Sequence, residues 1–350
     1  FTLLLLLSMC ILEGCEKEKS HTVLELFSES QSLSPKKDFY VNEDSIAIIE
    51  GLSCDGKNLI VNDYHSGCCY TLFDKKSGEY IARFGTIGQG PAELPSPCYG
   101  YLTESDFTVF DDQTRIVMKY SLDSLRNSRK KDGSPVRLAQ YKIPEAQISK
   151  LIAIDDTTFL CAGTYKSRYQ YLLFNKNDSV LDYGVDVYNA ADSAFQTYTR
   201  YLSNQGNLVM NPEKHTFAGS INFSSNIDFF EIVNNKIELI KSLRLGDPIN
   251  KPVNEEGIYY VDLTENTQTG YIDLSATSKY VYALYSDKKM YENNRKSDTV
   301  LVFDWDGNPI KKYSLDTDAY YIAVDSTQQS LFAAVKNSSS GWKIICYALD

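Results

Sequence analysis

Histidine, methionine and tryptophan are scarce in this chain: 3 His, 4 Met and 2 Trp among 350 residues. The three histidines, His21, His65 and His215, share no fixed spacing, so they carry no metal-ligand pattern. No basic run exceeds three residues, and 46 acidic residues against 35 basic ones leave a formal charge of −11. A phosphate backbone is held by clustered Lys and Arg, so this balance excludes nucleic acid as a partner. There is no C-x-x-C pair for zinc or redox work, no G-x-S-x-G nucleophile elbow and no repeated S-x-D-x-G-x-T-W signature of sialidases. What is abundant is aromatic: 26 Tyr and 16 Phe. Such side chains fit a pleated, half-buried surface, and they tilt the fold class toward all-β.

The first residues read FTLLLLLSMCIL, from Phe1 to Leu12. This run is shorter than the roughly 18 apolar residues a spanning helix needs, and the charged CEKEKS follows it directly, as in the apolar region of a signal peptide. No basic segment precedes it, which implies a clipped leader. Leu12-Glu13-Gly14-Cys15 resembles a bacterial lipobox, in which the cysteine is diacylated and becomes the mature N-terminus. The expected organisation is therefore residues 1–14 as signal peptide, 15–21 as lipidated tether and 22–350 as the folded body. The Glu, Lys and Ser-rich composition that continues to about Pro35 suits a tether. That organisation predicts an exported outer-membrane lipoprotein, facing the periplasm or the cell surface, with the membrane as a partner through its anchor.

A hairpin pattern recurs along the rest of the chain: an apolar pair, a polar turn, then an apolar strand. Its six copies start at Leu52, Leu102, Ile152, Leu202, Leu274 and Ile322. The near-constant spacing has one insertion before the fifth copy, at about Gly246 to Thr269. A second hairpin follows most copies, as in YTLFDKKSGEYIARFG from Tyr70 and VLVFDWDGNPIKKYSL from Val300. Four short strands per period, here named A to D, make one propeller blade, and six periods predict a six-bladed β-propeller. The last period reaches only strand C, at WKIICYAL from Trp342, while HTVLELF at His21 to Phe27 has no partner of its own. Pairing the two would close the ring and remove the open edges.

Cys54, Cys68, Cys69, Cys98, Cys161 and Cys346 are scattered. They read either as buried thiols or, for Cys54 with Cys68 or Cys69, as one disulfide. FGTIGQGPAE at Phe84 to Glu93 and FDWDGNPIKKYSLD at Phe303 to Asp316 resemble stretches of Bacteroidota-type lipoproteins with a TolB-like six-bladed propeller. The resemblance implies that fold and an exported or anchored location; it carries no catalytic residue over. The glycine-rich loop does not open a helix that could receive a phosphate. It reads as a tight D–A crossover, with Glu93 bonding backbone amides.

In a propeller the D–A and B–C connections share one face, where ligands commonly bind. Loop residues expected there are Tyr64, His65, Asp112, Arg115, Tyr165, Arg168 and His215. Their aromatic and charged groups suit a glycan, a peptide or an envelope protein. No metal or cofactor is expected in the leading reading, an anchored propeller that binds a ligand or protein. The competing reading is a propeller enzyme such as a calcium-dependent lactonase or lyase, for which Asp111 and Asp112 are candidate calcium ligands. A metal held on the axis by four or more inward Asp, Glu or Asn oxygens would favour the enzyme, whereas an axis lined by aromatic and uncharged groups would favour binding.

Overall fold

A computed structural model of the chain describes residues 22–36, 46–65, 67–103, 105–127, 136–140, 147–166, 168–186, 197–293, 295–337 and 341–349. Six antiparallel sheets follow one another, each a meander whose spatial order repeats its sequence order. Their innermost A strands are Gly51–Cys54, Pro97–Leu102, Gln147–Ala153, Gly206–Met210, Gln268–Ala276 and Tyr321–Val324. Each of these touches the next, and the sixth touches the first. The circle is closed, as the six-blade reading requires.

The energetic reason lies between the blades. In blade three, strands B (Thr158–Tyr165) and C (Tyr169–Asn175) are buried almost end to end, because both faces of the sheet pack on neighbours. An outer D strand such as Lys236–Leu243 is largely open to solvent. Six apolar clusters result, one for each pair of adjacent blades. At the seam between blades six and one, Phe332, Ala334, Ile344 and Cys346 pack on Leu59, Val61 and Phe73. Burial of this kind contributes about 1.5–3 kcal/mol per large apolar side chain, so the seam holds without covalent help.

Closure departs from expectation in one respect. Val23–Leu26 is a single 3-10 turn, not a strand, and it does not pair with the last strand C (Gly341–Ala348). Its apolar residues also match a helical turn, and tertiary packing decides: Val23 and Phe27 are buried between blades four and five, with Phe27 edge-on to Phe303 at 5.1 Å. The chain then adds Ser30–Ser32 in parallel to strand D of blade five (Pro309–Ala319). Only at Pro35 does it reach blade six, bridging Tyr347, and the Lys36 N–H donates to the Cys346 carbonyl at 2.7 Å. The N-terminal chain closes the last blade, but with Pro35 and Lys36.

Blade four is also shifted relative to the repeat. Leu202 belongs to a short helix, Thr197–Ser203, capped from within by Asn204 and Ser203 side chains that donate to the Arg200 and Thr199 carbonyls. Strand A starts at Gly206, where a Cβ would come within 1.6 Å of the Ser220 carbonyl oxygen, so only glycine lets strand B approach. The A–B turn is therefore Asn211 to His215. The insertion forms an exposed hairpin, Asn250–Glu255 with Ile258–Leu263, which rests against the Thr197–Ser203 helix.

The A–B turns repeat one device. Asp55, Asp155, Asn211, Thr277 and Asp325 each turn a side-chain oxygen back onto the N–H groups of the residues that follow. The D–A loop after blade one behaves as read: Glu93 accepts from the Gly90 N–H at 2.8 Å and fills the space beside Gly88. No disulfide joins Cys54, Cys68, Cys69, Cys161 and Cys346 to one another, and burial pushes the Cys69 thiol up to about 12. Such thiols behave as small hydrophobes. Cys15 and the side chain of Cys98 lie outside the described residues.

Candidate functional site

Because every A strand starts at the D–A face and ends in an A–B turn, the ring encloses an axial channel with two unlike mouths. At the D–A face a funnel of about 390 Å³ is built from the loops and strand starts of blades two to six. Strand A of blade three contributes Lys150, that of blade four Asn207 and that of blade five Asp273. The B–C loops contribute Asp112, Asn222 and Arg295, and Tyr201, Tyr320 and Tyr321 supply aromatic walls.

These groups are held by their surroundings. Asn222 is oriented with its amide oxygen 3.3 Å from Arg295 Nη2 and its nitrogen 3.1 Å from the Tyr271 carbonyl. Arg295 also lies over the Phe223 ring, 5.7 Å from its centre. Asp273 accepts from the Ile322 N–H at 2.9 Å and from the Leu274 N–H at 3.0 Å. With the Ser275 hydroxyl, which accepts from the Val324 N–H at 2.9 Å, it pairs amides on the inner edge of the blade-six A strand. Burial lifts its carboxyl from 3.8 to about 6, opposed by the Ile322 N–H and by the Lys150 and Arg295 charges. At the rim, desolvation raises the Asp112 carboxyl above its ordinary value while Arg115 pulls it down.

The residues expected on this face are not gathered together. Asp112 lines the funnel, whereas its neighbour Asp111 is buried and committed, accepting from the Ser96 and Thr114 N–H groups at 2.6 and 2.7 Å. Arg115 takes a left-handed backbone, φ 56°, in the same loop beside Asp112. Tyr165 is 1% exposed, in the core between blades two and three, because strand B extends one residue further than the loop assignment assumed. Arg168 is drawn outward to an ion pair with Asp186 and lies over Tyr169. His215 belongs to the blade-four A–B turn and so to the opposite face, a correction that follows from the shifted strand A. The backbone of Tyr64 and His65 ends strand B of blade one; their side chains lie outside the described residues.

Lys150, Asn207, Asp273 and Asn222 escaped the loop-by-loop reading. For two of them a signal was present: a lysine in QISKLIA and an aspartate in TGYIDLSA each interrupt an inner strand that is otherwise mostly apolar or small. A charge in such a strand is retained where it faces a channel or a partner. Among the described residues no group of three or more His, Cys, Asp or Glu side chains is placed to hold a metal ion.

The sequence matches the family of TolB-like 6-blade propellers over residues 43–327, which spans all but the two ends of the ring. The chain belongs to this TolB-like propeller family. Two solved structures share its shape. One, of a Bacteroides fragilis protein described as exported, is 12% identical, with 92% of this chain and 99% of that chain covered and a TM-score of 0.55. The other, a member of the duf4221 family from Bacteroides vulgatus, is 11% identical, with coverages of 91% and 97% and a TM-score of 0.51. At such identities the likeness concerns the fold of a TolB-like propeller and no more. Among curated proteins none matches the chain. Among the described residues of this TolB-like propeller, no helix is long and apolar enough to cross a membrane.

Proposed function

We propose that this TolB-like propeller is an exported, lipid-anchored binding protein whose D–A funnel receives a small polar ligand bearing a carboxylate, a short peptide or an acidic glycan. The observation that carries the reading is the convergence of Lys150, Arg295, Asn207 and Asn222 with three tyrosines in one concave space of about 390 Å³. Two cations and two amides are donors that suit a carboxylate, and Tyr rings give sugar or peptide faces a flat apolar surface. Asp112 and Asp273 supply acceptors for hydroxyl or ammonium groups of the same ligand.

The test is a thermal-shift and calorimetric screen of short peptides and uronic-acid oligosaccharides against the native chain and Arg295→Gln. A ligand that raises the melting temperature of the native chain should lose about tenfold or more in affinity with Arg295→Gln, as for loss of a charge-assisted contact. A screen without any ligand, or equal affinity for both proteins, overturns the reading. The anchor is tested separately. Export and acylation at Cys15 predict labelling by a palmitate analogue in cells, abolished by Cys15→Ala.

A further inference from the structure

The short helix Thr197–Ser203, which leads into blade four, has two unlike sides. It is seated on strand B of blade three and on the insertion hairpin, and Thr199, Arg200 and Ser203 are buried. Tyr198 and Tyr201, three residues apart and therefore neighbours on the helix surface, take another side. Their ring centres are 6.0 Å apart and their planes are inclined by 34°. Tyr201 belongs to the funnel wall, and its hydroxyl donates to the Ile148 carbonyl at 3.3 Å, which fixes the ring. Tyr198 is 42% exposed. The two rings form a step that leads from the funnel wall to the surface.

Exposed tyrosine is rare in this molecule. Among the described residues only Tyr80, Tyr198 and Tyr291 are exposed. Two of the three flank the funnel: Tyr198 precedes Tyr201 by one helical turn, and Tyr291 precedes Arg295 by four residues in the blade-five B–C loop. Tyr80 stands apart in strand D of blade one (Tyr80–Thr86), where its ring is edge-on to Phe73 and lies beneath Arg83.

A tyrosine ring has a flat apolar face and a polar tip, and leaving that face in water forgoes the gain of burying it. A pyranose is built in the same way: its C–H groups form an apolar face, and its hydroxyls and any carboxylate surround the edge. In the funnel, Lys150 and Arg295 suit a carboxylate, while Asn207, Asn222 and Asp112 suit hydroxyls. A peptide presents a flat apolar face only where it carries an aromatic or proline side chain, whereas every unit of a glycan presents one. At about 390 Å³ the funnel lies near the lower end of the roughly 300–1,000 Å³ of ligand sites, so a chain of several sugars would fill it and continue outward.

We infer that the ligand is an acidic oligosaccharide whose terminal uronic unit occupies the funnel and whose following unit stacks on Tyr198, an assignment that rests on the funnel as the ligand site.

The probes are galacturonic acid and its di- and trisaccharide, titrated calorimetrically into the full chain, Tyr198→Ala, Tyr198→Phe, Tyr80→Ala and Arg295→Gln. The native chain should bind the trisaccharide at least about tenfold more tightly than the monosaccharide. Tyr198→Ala should bring that advantage down to about twofold or less while leaving the monosaccharide unchanged, and Tyr198→Phe, which keeps the ring, should retain it. Tyr80→Ala should change neither affinity, and Arg295→Gln should weaken every probe. Binding that depends on Arg295 but not on chain length or on Tyr198 overturns this inference and leaves the funnel reading standing, as do short peptides whose affinity shows the same dependence on Tyr198. Absence of binding by all three saccharides, or binding indifferent to Arg295, overturns both.

Discussion

The two mouths of the channel are assembled from the same repeated strands yet solve opposite problems. On the A–B face the connections are short and self-capped, and their side chains are spent on the backbone or on the next blade. Asp325 is the fullest case: it accepts from the Thr327 hydroxyl at 2.6 Å, the Gln329 N–H at 3.2 Å and Lys75 of blade one at 3.2 Å. On the D–A face the connections are longer and uneven, and Lys150, Asp112, Asn222 and Arg295 converge on open space. The difference teaches that one face spends its side chains on holding the ring, whereas the other directs charged and amide groups into a common space.

That contrast can be broken by substitution. The largest effect is expected at the ring-holding face, where Asp325→Ala strips the partner from a half-buried Lys75 and unties the turn. A loss of about 3 kcal/mol is expected, read as a lower denaturant midpoint at pH 7. Burial alone would raise the Asp325 carboxyl, but its hydrogen bonds and Lys75 outweigh this and hold it below its ordinary value. Its contribution is therefore present above the unfolded-state pKa and fades as pH falls through the lower folded one, so the stability difference between native and variant should shrink as the pH falls below the ordinary carboxylate range.

Next comes Asp273→Asn at the waist between the mouths. The native carboxyl is raised to about 6, so its effect has the opposite sign: stability is greatest while the group is protonated and declines as pH climbs from about 4 through about 6. The variant should lack that decline, and the native-minus-variant difference should change by of the order of 1–3 kcal/mol between pH 4 and pH 7 in calorimetry. A pH-independent difference would remove Asp273 as the titrating group. Asp155→Ala, which deletes the oxygen that accepts from the Thr157 and Thr158 N–H groups at 2.7 and 2.8 Å, should cost about 1 kcal/mol. Smallest of all is the stability effect of Arg295→Gln, expected at about 0.5 kcal/mol because the glutamine amide keeps a donor for Asn222 and only the charge and the contact with Phe223 are lost. An Arg295→Gln loss as large as that of Asp325→Ala would erase the distinction between the faces.

The fold was more legible than the site for identifiable reasons. Strands B and C announce themselves because both of their faces are buried, so FTVF, TFLCA and LFAAV read as apolar whatever their neighbours. The turns FDKKSG and FDWDGN announce themselves because Asp74 and Asp304 each accept from N–H groups two residues on. HTVLELF was harder, since the same apolar spacing serves a strand or a helical turn and only contact with Phe303 selects between them. Blade four was misaligned because the end of the Thr197–Ser203 helix followed by Asn204 and Gln205 mimics an apolar pair and a polar turn before the apolar run of strand A, and the even spacing of the other copies drew Leu202 into register. His215 changed face as a direct consequence.

By itself the sequence determined an all-β chain of six repeated four-strand units with an excess of acidic over basic residues. Those properties are local: alternation, turn chemistry and composition act over a few residues and are written in order along the chain. Tertiary structure alone decided which residues meet on the axis, which of two adjacent aspartates is spent and which is offered, and where the N-terminal chain joins the last blade. Lys150, Asn222, Asp273 and Arg295 come from four separate elements, and only closure of the ring gives them a common space.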